Sequence, residues 1–284
     1  MVSGLRELGQ GRTIALSTAD VHVYDTGVPD GQPVVLLHGF LTNSATWRHV
    51  HAALAENHRL VLVDLPGSGR SPDPRTGDWT ADRCTDMLAE LFDVLSLASP
   101  VVIGSQMGGS LAAWLAARHP TRVSRLVVMA AGALGEEAGN LWLYRLLAMP
   151  VLGGVVARVF PRRLFAARWA AAHGPGFRPE PDAVVSYHRQ LRMRGPAIAR
   201  FGLGIRRSYG PSFDVLVGPL AGLRTPTLLL FGAEDRLVPP STGRRFADLL
   251  PDSRLVVLPG CGDFPQEEKP DETVAEITAF LRAR

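Results

Sequence analysis

The chain is almost without lysine and cysteine. Lys269 is its only lysine, and its two cysteines, Cys84 and Cys261, stand far apart. Two isolated cysteines make no disulfide framework and fit no metal-ligand spacing. No glycine-rich run is followed by the lysine of a phosphate-binding loop, and Gly67-Ser-Gly69 is too short and misplaced for a dinucleotide fingerprint. No cofactor or metal is therefore expected. Charged residues make up only 20% of the chain, with a net charge of +3. The densest basic cluster is Arg162, Arg163 and Arg168, with Arg189, Arg192 and Arg194 further on. It lies among apolar residues and reads as solvated helix faces, with a site for an anionic ligand as the alternative. Without aromatic interleaving or a reading motif, no nucleic-acid partner is expected. Met1–Gln10 lacks an apolar h-region, so no secretory signal is expected and the cytoplasm is the default location. The most apolar stretch, Leu141–Phe160, is interrupted by Pro150, Gly153 and Gly154 and charged by Arg145 and Arg158. That disfavours a membrane span and suggests a pair of lid helices over an apolar pocket. Nothing in the pattern specifies an oligomeric state.

What is present is a globular mixture, 46% hydrophobic over 284 residues. A chain of this length buries about three quarters of its unfolded surface. Pro33–His38, Arg59–Asp64, Pro100–Gly104, Val123–Met129, Thr227–Phe231 and Arg254–Leu258 are short continuous apolar runs, as in strands buried on both faces. Helical patterns alternate with them at 44–55, 80–97, 106–119, 241–250 and 271–282. Two N-terminal antiparallel strands, at 12–16 and 21–24, precede them. The alternation predicts an α/β fold, a mostly parallel central sheet with helices on both faces. It lapses between about Ala133 and Leu223, where helical patterns are broken by Pro161, Pro175, Pro179, Pro181, Pro196 and Pro211. The expected organisation is a core of residues 1–132 and 224–284 with an inserted helical cap at 133–223.

Five motifs follow the strands in order. They are His38-Gly39-Phe40, Asp64-Leu-Pro-Gly67-Ser-Gly69, Gly104-Ser-Gln106-Met-Gly108-Gly109, Gly232-Ala-Glu-Asp235 and Gly260-Cys-Gly262-Asp263-Phe264. In order and spacing the chain resembles the α/β-hydrolase fold family over almost its whole length, and within it the capped subgroup. The resemblance implies a strained strand-to-helix turn at Gly104–Gly109, where small residues let the backbone fold back on itself. It places Gln106 where the family has its nucleophile and Asp263 where it has its histidine, and leaves Asp235 in the slot of the acid. An amide is not a useful nucleophile. Ser105, one residue before the apex, turns its side chain away by strand alternation. Loss of the serine or the histidine alone costs about a millionfold in such enzymes, so the ordinary acyl-enzyme route is not expected. Backbone N–H groups of Met107 and Phe40, with Leu41 second, are the implied oxyanion donors. His38 and His188 are further candidates for substrate contact, with His173 also in the predicted cap. His49, His51, His58 and His119 read as ordinary helix residues.

Three functions fit these residues. The first is a non-hydrolytic enzyme, a cyclase, lyase or isomerase of a hydrophobic carbonyl metabolite from a natural-product pathway, with Gln106 as hydrogen-bond donor and Asp263 as acid or base. Two adjacent carboxyls, Asp235 and Asp263, resist joint ionisation and suit that role. The alternatives are a ligand-binding pseudoenzyme and a hydrolase of an ester, lactone or epoxide by direct water attack. All three take a hydrophobic small molecule and no membrane.

Overall fold

A computed structural model describes residues 10–73, 79–134, 141–210 and 213–283. The segment before Gln10, expected to lack a secretory signal, lies outside the described residues. The strands are β1 (Arg12–Ala15), β2 (Asp20–Gly27), β3 (Gln32–Leu37), β4 (His58–Asp64), β5 (Val101–Ser105), β6 (Arg125–Met129), β7 (Thr227–Gly232) and β8 (Ser253–Leu258). They form one sheet in the order β1-β2-β4-β3-β5-β6-β7-β8. The pairs β1/β2 and β2/β4 are antiparallel, and every pair from β4/β3 to β7/β8 is parallel.

The continuous apolar runs follow from burial on both faces, because side chains alternate across the sheet. Val35, Leu37, Val61, Val63, Val102, Val128, Leu229 and Phe231 belong to one hydrophobic core. Their neighbours Val34, Leu36, Leu60, Leu62, Ile103, Val127, Leu228 and Leu230 belong to the other. The first core is closed by α2 (Ala81–Val94), α3 (Met107–Arg118), α8 (Asp214–Ala221) and α9 (Pro240–Leu249). The second is closed by α1 (His51–Ala55) and α11 (Pro270–Arg282), through Leu54, Ile277 and Phe280. Thr80 caps α2 by accepting from the Arg83 N–H at 3.1 Å, as its residue type favours.

The expected single helix at 44–55 is a 3-10 turn, Ser44–Trp47, followed by α1. Arg48 N–H and Val50 N–H donate to the carbonyls of Ala45 and Trp47, three residues back, which tightens the chain there and separates the two pieces. A short helix, α10 (Pro265–Glu268), precedes α11 and was not expected.

Between β6 and β7 the chain leaves the sheet for α4 (Leu141–Ala148), α5 (Leu152–Val159), α6 (Arg162–Ala171) and α7 (Pro181–Ser208), returning through α8. Pro161 and Pro181 open helices, where the missing N–H is not needed. Pro196 lies within α7, where a break was expected, and the helix runs through it for 28 residues. Packing outweighs the lost hydrogen bond there: Gly195 lies so close to α5 that a Cβ would sit 3.2 Å from that of Ala157. No helix among the described residues is long and apolar enough to cross a membrane.

Candidate active site

The site is built on the turn between β5 and α3. Gln106 occupies its apex at φ 53°, ψ −117°, a conformation rare for a residue with a side chain. Two anchors hold it. The Gln106 N–H donates to the Met129 carbonyl at 2.8 Å, and the Ser110 N–H donates to the Gln106 carbonyl at 3.0 Å. The turn closes so tightly that a Cβ on Gly104 would lie 2.2 Å from the Gly108 carbonyl oxygen. The first-turn N–H groups of α3, Met107 among them, have no acceptor within the helix, and the helix dipole adds partial positive charge.

Asp263 comes to this turn from the loop after β8, and Gln106 Nε2 donates to its Oδ2. Asp235 comes from the loop after β7 toward Asp263, and Asp235 Oδ2 and Asp263 Oδ1 are both buried with no other partner, as two carboxyl oxygens that share a proton would be. The Leu237 and Val238 N–H groups donate to Asp235 Oδ1 at 2.8 Å each. Gln106, Asp263 and Asp235 therefore form one chain. Asp263 and Asp235 are buried, at 2% and 5% exposure.

Burial pushes Asp263 well above the ordinary carboxylate range, and the negative charge of Asp235 adds to it. Burial also raises Asp235, to about 7, against the pull of the Val238 and Leu237 amides. Both carboxyls are therefore driven toward the protonated form and resist joint ionisation. Asp263 Oδ2 accepts from Gln106, which leaves Oδ1 as the oxygen able to carry a proton between the two acids. Each carboxyl binds protons more tightly in the folded than in the unfolded chain. This contribution to stability is complete below about pH 4 and is lost as pH rises toward and through 7. Each pH unit over which the fold holds one proton more than the unfolded chain costs about 1.4 kcal/mol. Thermal unfolding between pH 5 and pH 8.5 should show the melting temperature falling as pH rises. A flat profile would mean that the pair does not share a proton.

The Asp263 loop is pinned by Glu268, which sequence reasoning did not single out. Its carboxylate accepts from the N–H groups of Gly262 at 2.9 Å, Phe264 at 3.1 Å and Gly174 at 2.7 Å. The Asp263 N–H in turn donates to the Ala172 carbonyl at 3.0 Å. Acidic residues after Pro265 signal a helix start, but not these partners. Gln190 on α7 was also missed. Its Nε2 donates to the carbonyls of Leu41 at 3.1 Å and Thr42 at 2.9 Å. Its Oε1 accepts from Asn43 Nδ2 at 2.9 Å and the Gly69 N–H at 2.8 Å.

A cavity of about 410 Å³ opens above Gln106 and Asp263, with Phe40, Leu41 and Met107 also lining it. The walls are mainly apolar and come from the inserted helices, Leu147, Phe165, Trp169 and Leu191 among them, and two arginines, Arg168 and Arg206, face it. Its volume suits a small organic ligand. Gln106 Oε1 lies against Gly39, where a Cβ would come within 2.0 Å of it.

His38 and His188 do not line this cavity, which corrects their expected substrate contact. The Leu65 N–H donates to His38 Nε2 at 2.9 Å, so the neutral ring carries its proton on Nδ1, which donates to the Gly39 carbonyl at 2.8 Å. Burial lowers the pKa of His38. Its ring braces the loop beneath Phe40. His188 Nε2 lies 2.8 Å from the Phe160 carbonyl and joins two inserted helices. Ser105 is buried and donates to Gln266 Oε1 at 3.3 Å, away from the cavity. His173 stacks between Phe177 and Phe264. Among the described residues no group of three histidines, cysteines or carboxylates could hold a metal ion.

The profile of the alpha/beta hydrolase fold matches residues 32–270. The chain belongs to the α/β-hydrolase fold family. Across 283 residues it is 27% identical to a 2-hydroxymuconate semialdehyde hydrolase of Pseudomonas sp. (strain CF600), covering 95% of this chain and 93% of that one. It is 30% identical over 289 residues to a pimeloyl-[acyl-carrier protein] methyl ester esterase of Nitrosospira multiformis, covering 92% and 99%. The solved structure of a 2-hydroxy-6-oxo-6-phenylhexa-2,4-dienoate hydrolase from Rhodococcus sp. strain RHA1 superposes with a TM-score of 0.80 at 24% identity, covering 96% and 99%, and shows the fold alone. These relatives correct the expectation of a cyclase, lyase or isomerase. The two sequence relatives are named as a hydrolase and an esterase. The expectation rested on what the site lacks, and a missing serine says how a bond is not cleaved without saying which reaction replaces it.

Proposed function

We propose that this α/β-hydrolase fold enzyme hydrolyses an apolar, activated acyl compound, an ester or lactone, by direct attack of water. In this reading residues 133–223 are a cap that shapes the pocket, as in the capped subgroup. Gln106 and Asp263 stand where the family has its serine and histidine, and Asp235 keeps the place of the acid. The observation that carries the proposal is the chain Gln106–Asp263–Asp235 on the floor of an apolar cavity, beside the first turn of α3.

With its proton turned toward Asp235, Asp263 presents an acceptor to the cavity, as a neutral histidine does beside its acid. A water in the cavity, hydrogen-bonded to Asp263 Oδ2, attacks the carbonyl carbon. Its proton passes to Oδ2 as the Oδ1 proton passes to Asp235, so the effective base is the pair. The carbonyl electrons move to oxygen, where the Phe40 and Met107 N–H groups hold the developing charge. Collapse breaks the bond to the leaving alkoxide, which takes the proton back, and acid and alcohol result.

A panel of chromogenic esters and lactones with apolar acyl groups, with epoxides alongside, tests the proposal. Turnover is expected, with kcat/KM falling about tenfold per unit as pH drops below about 7 and Asp235 becomes protonated. If every substrate is returned unchanged while one binds tightly, the chain is a binding protein and the hydrolytic reading is wrong.

A further inference from the structure

We propose that the outer face of α5, with the turn before it, docks reversibly on an anionic lipid surface. α5 is inverted relative to a helix made for water. Its inner face carries the small residues: Gly153, where a Cβ would lie 2.0 Å from the Leu147 carbonyl oxygen, and Ala157 against α7. Its outer face carries Val151, Val155 and Val159, at 86%, 54% and 70% exposure, four residues apart and so on one side. Exposed Met149 and Leu152 extend the patch. Val151 is a β-branched residue held at φ 60°, ψ −60°, inside a strained γ-turn closed by the Leu152 N–H on the Pro150 carbonyl at 2.6 Å. A contiguous apolar face of this kind marks an interaction surface.

The charge around it selects the partner. From Leu141 to Pro179 the sequence contains no aspartate or glutamate, and it contains the six arginines 145, 158, 162, 163, 168 and 178. All six are exposed. A second copy of this face would set arginines against arginines, whereas anionic headgroups neutralise them. An exposed apolar helix face on a segment that carries exposed arginines and no acidic residue matches a helix that lies in a lipid interface. The same segment adjoins the cavity: Phe160 and Phe165 line it, while their chain neighbours Val159 and Leu164 face outward. The proposal is independent of the hydrolytic reading, since docking needs no turnover.

The test is co-sedimentation of the full chain with vesicles of phosphatidylcholine alone, or mixed with phosphatidylglycerol. Binding is expected to the mixed vesicles only, and to weaken as salt is raised. Each arginine near the surface contributes roughly fivefold, so Arg162→Glu with Arg163→Glu should weaken partitioning by roughly 25-fold or more. Val155→Asp with Val159→Asp should abolish it. All four side chains are exposed, so far-ultraviolet circular dichroism and melting temperature should be unchanged. No binding to either vesicle, or equal binding to both, overturns the proposal. So does self-association in sedimentation velocity that the two valine substitutions abolish, which would make the occupant a second copy.

Discussion

Asp263→Asn should lose hydrolysis by about 10²–10⁴-fold and gain stability at pH 8.5 in the same variant. Asparagine keeps the shape of the protonated acid. Its Nδ2 can donate to Asp235 as Oδ1–H does, and its Oδ1 can accept from Gln106, so the hydrogen-bond chain remains satisfied. What disappears is a carboxyl that can pass a proton on. The buried pair also loses one of its two acids, so the slope of melting temperature against pH should flatten. Activity is read on the best ester of the panel, and stability by thermal unfolding at pH 5 and pH 8.5. An active variant would remove Asp263 from the chemistry. A variant less stable at pH 8.5 than the parent would contradict the shared proton.

Arg48→Ala should destabilise the protein by about 3–5 kcal/mol and lower its melting temperature by roughly 6–15 °C. The Arg48 guanidinium is buried between Glu267, with Nη2 to Oε2 at 2.9 Å, and Glu180, with Nε to Oε2 at 3.0 Å. Tyr187 from α7 and Thr46 also donate to Glu267 Oε1, at 3.1 and 2.7 Å. Without arginine a fully buried carboxylate keeps two neutral donors and no counter-charge. Adding Glu267→Gln should recover part of the loss, because the amide needs no cation. Glu267 sits on α10, which begins two residues after Asp263, so Arg48→Ala should also slow turnover. A loss under about 1 kcal/mol by chemical denaturation would show that water reaches Glu267.

The sheet was legible because strands buried on both faces need unbroken apolar runs, and Pro33–His38 or Thr227–Phe231 admit little else. The turn at Gln106 was legible because Gly104 and Gly108 tolerate no side chain. The order of motifs suggested that Gln106, Asp235 and Asp263 would meet. Glu268 and Gln190 were not legible. Glu268 binds a backbone N–H 94 residues away and Gln190 binds carbonyls 148 and 149 residues away. No local pattern encodes such partners. α7 was obscured by Pro196, whose local penalty is overridden by packing that only the folded chain supplies. The reaction type was least legible of all, since the residues at Gln106 and Asp263 constrain how protons move and leave the scissile bond open.

The four hydrogen bonds on the Gln190 amide bear on how this protein can be recombined. A graft that exchanged the segment between β6 and β7 for that of a relative would remove one side chain that holds two separate loops of the recipient, at Leu41–Asn43 and at Gly69. The boundary of the exchangeable unit therefore does not coincide with the ends of β6 and β7. A chimera should carry an amide at position 190, or the loops that meet it, as part of the same transplant.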